Sequence, residues 1–432
     1  MSANHRRFVR GLYVGALSAL VAGSTWLAPA AVHASPPRAD NTILVWTDST
    51  RYPAFQLYQQ AHPNVHLHVV IRSGAVQSVL LFNRINSGWP DVVFDAQPSD
   101  VATLSHSPWN YTADLTPYVS KNVLNNFAHG TLAQCQINGK LYCLRNDVAE
   151  NVLWYNAKLM KQFGYKVPTT WEQYQQLGLR VGKEHPGYII GDFGSSFGLY
   201  EYLWASGCPV TQVVGSDKVR INMADPTCTR VAKLLDPLIA NKTVSTLGEF
   251  DPAFVKLGNQ DKILMMEAAS WFGEFVFKAS YKTPAGELAA ALPLRWADEK
   301  TPWTGATGGG TYFVSTHAAN PRLAADVVTW VATNDAYQAT APTQPDYLPA
   351  ADAWAKKTAG SSYYAANPYP ALRQASGDIR PSFDYVRYMA ETPFVSDLVN
   401  GVAAGKTLTS LLPTFGADTA KLAGIAGYTV TR

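Results

Sequence analysis

The sequence predicts an α/β fold divided into more than one lobe. Short apolar runs alternate with segments of helical periodicity along the chain, which is typical of strands joined by crossover helices. The chain has 432 residues, a length that favours two or three lobes over a single core. After the N-terminal leader, no apolar run is long enough to cross a membrane. We therefore expect a soluble α/β body behind the leader.

The N-terminus is typical of an export signal. Three arginines precede an uncharged stretch over residues 11–31, which is followed by small residues that suit signal peptidase. We expect residues 1–34 to be a signal peptide and the protein to be periplasmic, extracellular or attached to the cell surface. An uncleaved membrane anchor is the alternative, because the stretch approaches the roughly 20 residues that span a bilayer.

The charge of the remaining chain is balanced. Without residues 1–34, the sequence holds 32 basic and 32 acidic residues. Binding to nucleic acid or to an anionic membrane needs a cationic surface, so neither is expected as the main partner. Small molecules remain as the expected ligands.

The four cysteines predict two disulfides, since paired cysteines are common in exported proteins. Cys135 and Cys143 flank residues 137–140, and a three-residue turn centred on Gly139 would place them opposite one another in a hairpin. Cys208 and Cys228 are then left to pair. We expect no cysteine to serve as a nucleophile or as a metal ligand.

The first part of the chain contains strand and helix units in succession. Residues 43–46 are a short apolar run typical of a buried strand, and Asp48 or Ser49 is placed to cap the helix that follows. Residues 65–71 alternate as a second strand, and residues 91–95 predict a third. These elements predict a parallel sheet with crossover helices.

The lobe boundaries are expected near the hairpin around Gly139. We assign residues 41–148 and 294–340 to the first lobe, and residues 149–293 and 341–432 to the second.

Two helix starts carry recognisable capping signals. Thr169 and Glu172 have the spacing of a capping box, in which each side chain satisfies a backbone donor at the start of a helix. Asn320 precedes Pro321 at the start of another predicted helix.

Several segments, in this order, resemble the extracellular solute-binding proteins of ABC importers, the group that includes maltose-binding protein. The likeness covers nearly the whole chain after the leader, and its most specific part is the trio GKLY, LWYN and PTTW. The matching segments are 43–46 (ILVW), 62–65 (HPNV), 88–93 (GWPDVV), 139–142 (GKLY), 153–156 (LWYN), 168–171 (PTTW), 263–266 (ILMM), 270–271 (SW), 308–310 (GGG) and 320–321 (NP).

This resemblance implies a two-lobed periplasmic-binding-protein fold of the class II-like type. Each lobe is expected to hold a mainly parallel sheet flanked by helices, with a hinge around a central cleft. It further implies a monomer that is not an enzyme, needs no cofactor or metal, closes around a small solute such as a sugar, and delivers it to an ABC transporter permease.

Candidate ligand contacts follow from the rule that ligands bind beyond the carboxyl ends of parallel strands. A sugar offers apolar C–H faces edged by hydroxyls, which calls for flat aromatic surfaces beside carboxylates and amides. Strand ends point to Trp46, Asp48, Asp95 and Gln97. The resemblance implies Trp271 as a stacking platform, Asn146 and Asp147 at the crossing between lobes, and Tyr347 and Tyr364 as late contacts.

The glycine run at 308–310 lacks the Gly-Lys-Ser/Thr ending of a phosphate-binding loop. We expect Gly309, Gly310 and Thr311 to bring the backbone close to a ligand, and a flexible loop is the alternative. Asp48 and Asp95 have helix caps as their alternative role.

Three other functions remain open at this point. Residues 194–198 (GSSFG) fit the nucleophile elbow of a serine hydrolase, with His317 downstream. His62, His66 and His68 cluster as a metal site would, although exposed alternation explains them more simply. A sensor subunit, or a binder of another nutrient such as a polyamine or an oligopeptide, would keep the same fold.

Overall fold

The structure is a computed structural model that describes residues 41–72, 79, 88–96, 99–381 and 386–432. These residues belong to one compact unit. The predicted signal peptide, Gln97 and nearly all of the helix expected before Gly88 lie outside the described residues.

The described strands are short, as in most α/β proteins. Numbered in chain order, they are β1 Thr42–Thr47, β2 His66–Ile71, β3 Val92–Asp95, β4 Gln136–Ile137, β5 Lys140–Leu141, β6 Leu144–Arg145, β7 Asn151–Asn156, β8 Gly191–Asp192, β9 Gln212–Gly215, β10 Lys218–Arg220, β11 Val244–Ser245, β12 Met265–Ala269, β13 Leu288–Ala291, β14 Thr311–Val314 and β15 Thr429–Thr431.

Helices lie between the strands and dominate the C-terminal part. The α-helices are Tyr52–Ala61, Ser99–Leu104, Lys121–Leu124, Ala157–Gln162, Trp171–Glu184, Pro226–Ala240, Pro252–Gly258, Pro321–Thr333, Asp335–Gln338, Leu348–Ala359, Tyr369–Gly377, Glu391–Pro393, Asn400–Ala403 and Leu408–Ile425. A tight 3-10 turn spans Thr131–Cys135, and wider π-type turns span Leu199–Trp204, Gly273–Lys278 and Phe394–Val399.

The first lobe is built on a five-stranded sheet of order β2-β1-β3-β14-β6. β1 pairs in parallel with β2 and β3, as the sequence predicts, while β14 runs antiparallel to both β3 and β6. Residues Ile43 and Val45 of β1 are fully buried, which agrees with a strand that is covered on both faces. The carboxyl ends of β1 and β3 therefore open on the same edge of the sheet.

The second lobe differs from the prediction in strand direction. Its three-stranded sheet, β12-β7-β13, is antiparallel throughout, and the parallel pairs are β8 with β11 and β10 with β15. The expectation of a mainly parallel sheet is wrong for this lobe, because β7 enters from the other lobe and pairs with two strands that run back toward the cleft.

Separate hydrophobic clusters mark the two lobes. The first-lobe cluster gathers buried side chains from residues 43–144 and 312–341. Two second-lobe clusters gather residues 152–296 with parts of 354–423. Leu294 and Trp296 pack in one of the second-lobe clusters.

Both predicted disulfides are present, Cys135–Cys143 and Cys208–Cys228. The hairpin beside the first one differs from expectation, since Ile137 pairs with Lys140 and leaves a two-residue turn. Asn138 and Gly139 both have positive φ, 51° and 75°, as that turn requires. Cys143 therefore lies just beyond the paired strands rather than directly opposite Cys135.

The capping prediction at Trp171–Glu184 is shifted by one residue. Thr170 is the N-cap and accepts a hydrogen bond from the Gln173 backbone N–H, while the Gln173 side chain accepts from the Thr169 backbone N–H. Glu172 instead accepts from the backbone N–H of Ala297. At Pro321–Thr333 the predicted Asn320 cap is confirmed.

We predict different stabilities on loss of the two disulfides. Replacing Cys208 and Cys228 by alanine releases a disulfide-closed loop whose ends are 20 residues apart. Replacing Cys135 and Cys143 releases a loop whose ends are 8 residues apart. Because a longer loop gains more chain entropy when it is released, we expect losses of about 3 and about 2.5 kcal/mol. Urea unfolding under non-reducing conditions measures both, and a larger loss for the shorter loop would contradict the entropic explanation.

Candidate functional site

A cavity of about 380 Å³ lies between side chains of the two lobes. We call it the main cavity. Its lining from the first lobe and the linking segments is Arg51, Ala96, Asp147, Gly308, Gly309, Gly310 and Thr343, and its lining from the second lobe is Phe197, Phe250, Trp271 and Phe275.

The charged part of the lining is centred on Arg51. Its guanidinium lies 3.1 Å from the Asp48 carboxylate, 3.6 Å from that of Asp147, and 4.6 Å from the centre of the Phe94 ring. Burial alone would lower the pKa of Arg51, but the two carboxylates outweigh burial and raise it. The arginine is thus held charged and in place beside the cavity.

Glycines bring the backbone to the wall of the cavity. Gly308 and Gly309 have φ of 83° and 82°, where a side chain is strained. A Cβ at Gly309 would lie 2.2 Å from an Arg145 guanidinium nitrogen. The backbone N–H of Gly310 donates to the Asp147 carboxylate at 3.0 Å. Only glycine fits at 309, because the backbone there passes close to the Arg145 side chain.

The second-lobe wall is aromatic. Trp271 follows the end of β12, and its indole N–H donates to the Thr307 carbonyl oxygen at 2.8 Å. The ring lies parallel to Phe250 at 6.4 Å and meets Phe197 edge-on at 5.8 Å. Because its only polar atom is already bonded, Trp271 offers the cavity a fixed flat surface.

A polar network lies behind the cavity where the chain passes between lobes. The fully buried Arg145 Nε is 3.4 Å from the fully buried Asp346 carboxylate. Asp346 also accepts hydrogen bonds from the Thr131 hydroxyl and the Ala128 backbone N–H. The pair joins β6 to the segment that returns after residue 340, and so fixes the base of the cleft.

Four of the predicted contacts border the main cavity: Asp147, Trp271, Gly309 and Gly310. Asn146 lies directly behind them, bonded to Asp147 and to the Tyr312 hydroxyl. Thr311 is fully buried within β14. Asp48 holds Arg51 rather than lining the cavity itself.

Other predicted contacts lie away from the cavity. Trp46 is buried with the Arg72 guanidinium 4.5 Å from its ring. Tyr347 packs against Phe127 in the first lobe. The Tyr364 hydroxyl donates to Glu274 at 2.8 Å.

Asp95 is buried and interacts with a second carboxyl group. Burial, together with the neighbouring Asp95, raises the pKa of Asp100 to about 8. The Asp100 carboxyl therefore keeps its proton at neutral pH and shares it with Asp95. This arrangement explains how two acids lie together at the end of β3.

Sequence reasoning missed Arg51, Phe197, Phe250, Phe275 and Thr343. Arg51 lies in the turn after β1, where the strand-end rule selected its neighbour Asp48. Phe197 lies in the 194–198 motif, in which the nucleophile-elbow pattern draws attention to the serine alone. Phe250, Phe275 and Thr343 belong to segments whose position relative to the cleft has no signal in the sequence.

The nucleophile-elbow motif has a packing explanation. A Cβ at Gly194 would lie 2.0 Å from the Leu247 backbone, so the glycine allows two loops to touch. The Ser195 hydroxyl accepts from the Phe197 backbone N–H. His317 stacks on Trp89 in the first lobe at 4.1 Å. Ser196, the central serine of the motif, belongs to the second lobe, whereas His317 belongs to the first.

One histidine of the predicted cluster has a packing role, while His66 and His68 are exposed on β2. His62 stacks on Tyr58 at 4.2 Å. In the part of the chain that the structure describes, no group of three or more histidine, cysteine or acidic side chains is arranged to hold a metal ion.

Four acidic side chains are buried behind the aromatic wall, and we call them the acidic cluster: Asp192, Glu201, Glu249 and Glu267. Burial raises the pKa of each, and neighbouring carboxylates add to the effect for Asp192 and Glu201. Asp192 and Glu249 flank the loops that carry Phe197 and Phe250.

Residues 45–338 match the family model described as bacterial extracellular solute-binding protein. A multiple sugar-binding protein of Streptococcus mutans is 23% identical over 158 residues, which is 36% of each chain. The match thus spans about a third of that curated relative. Among the described residues, no helix has the length and apolar character needed to cross a bilayer.

Solved structures share the fold over nearly the whole chain. An ABC transporter associated binding protein of B. animalis subsp. lactis Bl-04, in complex with beta-1,6-galactobiose, has a TM-score of 0.74 and 19% identity, covering 91% of this chain and 100% of the other. The galacto-N-biose-/lacto-N-biose I-binding protein of Bifidobacterium longum, in complex with lacto-N-biose, has a TM-score of 0.77 and 16% identity. That match covers 90% of this chain and 98% of the other. The GacH receptor of Streptomyces glaucescens GLA.O, studied unliganded and with acarbose, has a TM-score of 0.69 and 17% identity. That match covers 90% of this chain and 99% of the other.

We predict that Asp346→Asn destabilises the fold by about 3–5 kcal/mol, because it leaves the Arg145 charge buried without its counter-charge. Urea unfolding measures the loss. Lys140→Met is the control, since it removes an exposed partner of Asp114 and is expected to cost less than about 1 kcal/mol. Equal effects of the two substitutions would contradict a structural role for the buried pair.

We predict that Glu267→Gln stabilises the protein at alkaline pH. A carboxyl whose pKa is raised by folding contributes stability below its unfolded pKa, and that contribution is lost as the pH rises through its folded pKa. The amide removes this loss, so the variant should gain about 1–3 kcal/mol over the native protein at pH about 8 and little at pH about 4. Unfolding free energies of both proteins, measured across this pH range, test the prediction. A stability gain found only at acid pH would contradict it.

Proposed function

Because the chain belongs to the bacterial extracellular solute-binding protein family, a family of non-catalytic transport receptors, we propose that it captures a carbohydrate in the main cavity and delivers it to the permease of an ABC transporter. The family is extracellular or periplasmic, and we place this chain there.

The observation that carries the sugar assignment is the combination of surfaces in the main cavity. Trp271 presents a flat ring with its indole N–H already bonded, which suits the C–H face of a pyranose. The opposite wall carries Asp147, Arg51 and glycine backbone, which suit hydroxyl groups. A purely apolar solute would displace water from these polar groups without offering them a hydrogen bond.

The charges around the cavity favour a neutral ligand. Arg51 is matched by Asp48 and Asp147, so the arginine does not form an isolated cationic site. An anionic solute would meet both carboxylates, and a cationic solute would meet the guanidinium. A hydroxylated neutral molecule can bond to either kind of group.

The relatives support the same class of ligand. The solved structures were determined with galactobiose, lacto-N-biose or acarbose, and the curated relative is named for sugars. The cavity volume of about 380 Å³ is at the small end of ligand sites, which run from about 300 to 1,000 Å³. We therefore favour a mono- or disaccharide.

Delivery would depend on lobe closure. The cavity takes its lining from both lobes, so a sugar contacts its full set of partners only when the lobes meet. Its binding energy then selects the closed form, which the permease would recognise. A single chain contains both walls, so we propose a monomer.

We predict that Trp271→Ala weakens sugar binding at least tenfold, about 1.4 kcal/mol, through loss of the stacking surface. Calorimetric titration with a panel of mono- and disaccharides provides the measurement. Trp330→Ala is the matched control, because Trp330 packs against Tyr58 in the first lobe, and it should bind as the native protein does. If the native protein binds none of these sugars, the sugar assignment is wrong. Binding of polyamines or peptides instead would identify the ligand class as one of those.

A further inference from the structure

A second cavity, of about 270 Å³, shares no lining residue with the main cavity. We call it the rear cavity. Its first-lobe lining is His129, Gly130, Ala133 and Gln134, and the rest of its lining is Trp204, Trp303, Gly377, Ile379, Arg380 and Pro381. Trp204 packs against Ala306, two residues before the glycine run of the main cavity. The two cavities therefore adjoin the same linking segment at different places.

Gln134 is the polar group that marks the rear cavity as a binding site. Its side chain is only 7% exposed, and its Oε1 has no hydrogen-bond partner among the described residues. A buried acceptor without a partner costs about 1–3 kcal/mol. A ligand with an O–H or N–H donor would relieve this cost.

The rear cavity is held in shape on both sides. Gln134 lies in the Thr131–Cys135 turn, which the disulfide from Cys135 to Cys143 ties down. Across the cavity, the Trp204 indole N–H donates to the Arg380 carbonyl oxygen at 2.9 Å. Arg380 Nε donates to the Ala205 carbonyl oxygen at 3.0 Å. Such preorganisation lowers the ordering cost of binding.

The charges in the rear cavity are already matched. Arg380 lies 5.4 Å from the Trp303 ring centre and donates to both carboxylate oxygens of Glu299 at 2.9 Å. No acidic side chain is part of the lining. The cavity thus offers aromatic surface and one unmet acceptor, with no uncompensated charge to attract an ion.

We propose that the rear cavity binds a neutral hydroxylated molecule, either a single sugar ring or a small polyol. An O–H of the ligand donates to Gln134 Oε1, and the C–H groups contact Trp204 and Trp303. The volume is below the roughly 300 Å³ at which drug-sized sites begin, which limits the ligand to about one ring. This site does not depend on the identity of the ligand in the main cavity.

The test uses the indole N–H signals of the tryptophans in the ¹⁵N-labelled protein, assigned by single Trp→Phe variants. D-glucose, D-galactose and glycerol are titrated separately to high millimolar concentration. We expect the Trp204 and Trp303 signals to move and saturate with a millimolar dissociation constant for at least one of these probes. The Trp271 signal reports on the main cavity in the same spectra.

Gln134→Met keeps the length of the side chain and removes the acceptor. We expect it to weaken binding at the rear cavity about tenfold while the Trp271 response is unchanged. Gln136→Met is the matched control, because Gln136 is exposed on the same segment, and it should bind as the native protein does. An unchanged Trp271 signal in each variant shows that the fold is retained.

Three results would overturn the proposal. In the first, the Trp204 and Trp303 signals do not move with any probe. In the second, they respond equally in the Gln134 and Gln136 variants. In the third, they follow the same titration curve as the Trp271 signal and so report only on the main cavity. Failure of the sugar assignment for the main cavity would appear instead as a silent Trp271 beside responding Trp204 and Trp303 signals.

Discussion

The fully buried ion pair between Arg145 and Asp346 is the interaction on which the cleft depends. It lies where the chain leaves the first lobe and where it later returns, at 3.4 Å and without exposure of either side chain. Desolvating two charges is costly, and only their attraction and further hydrogen bonds offset that cost. Thr131 and the Ala128 backbone supply those bonds to Asp346. The ion pair therefore ties together two of the segments that link the lobes, at the base of the cleft.

The walls follow from where the strands end. β1 and β3 run in parallel and open toward the cleft, which brings Arg51 and Ala96 to one side. β12 ends just before Trp271 on the other side. Gly309 lets the linking backbone pass close to Arg145, and Gly310 lets it pass close to Phe94, where a Cβ would collide. The ligand site thus arises from chain geometry first, and the identities of a few side chains then give it chemical character.

Sequence patterns predicted the elements whose cause is local. The buried run of β1, the Asn320 cap and the Cys135–Cys143 pairing depend on residues close in sequence, and they are found as expected. Cys208 and Cys228 pair as the two remaining cysteines. Trp271 was identified through its place in the family pattern, and it borders the cavity. The strand-end rule placed Asp48 in the site, while in the structure its carboxylate holds Arg51.

What the sequence left undetermined depends on long-range contacts. The antiparallel second-lobe sheet is set by strands more than a hundred residues apart, β7 and β12, whose direction has no local signature. Phe197 and Phe250 meet Trp271 because two loops pack through Gly194. Gln134 illustrates the point most clearly, because its buried and unpartnered acceptor is visible only once both lobes are in place.

Each lobe contains one disulfide. Cys135–Cys143 lies beside the hairpin of the first lobe, and Cys208–Cys228 lies in the second. Neither bridges the linking segments. Each lobe is therefore cross-linked internally, and neither disulfide restrains the segments between the lobes. Under the proposed closure mechanism, both disulfides can stabilise the lobes without opposing the movement that traps the ligand.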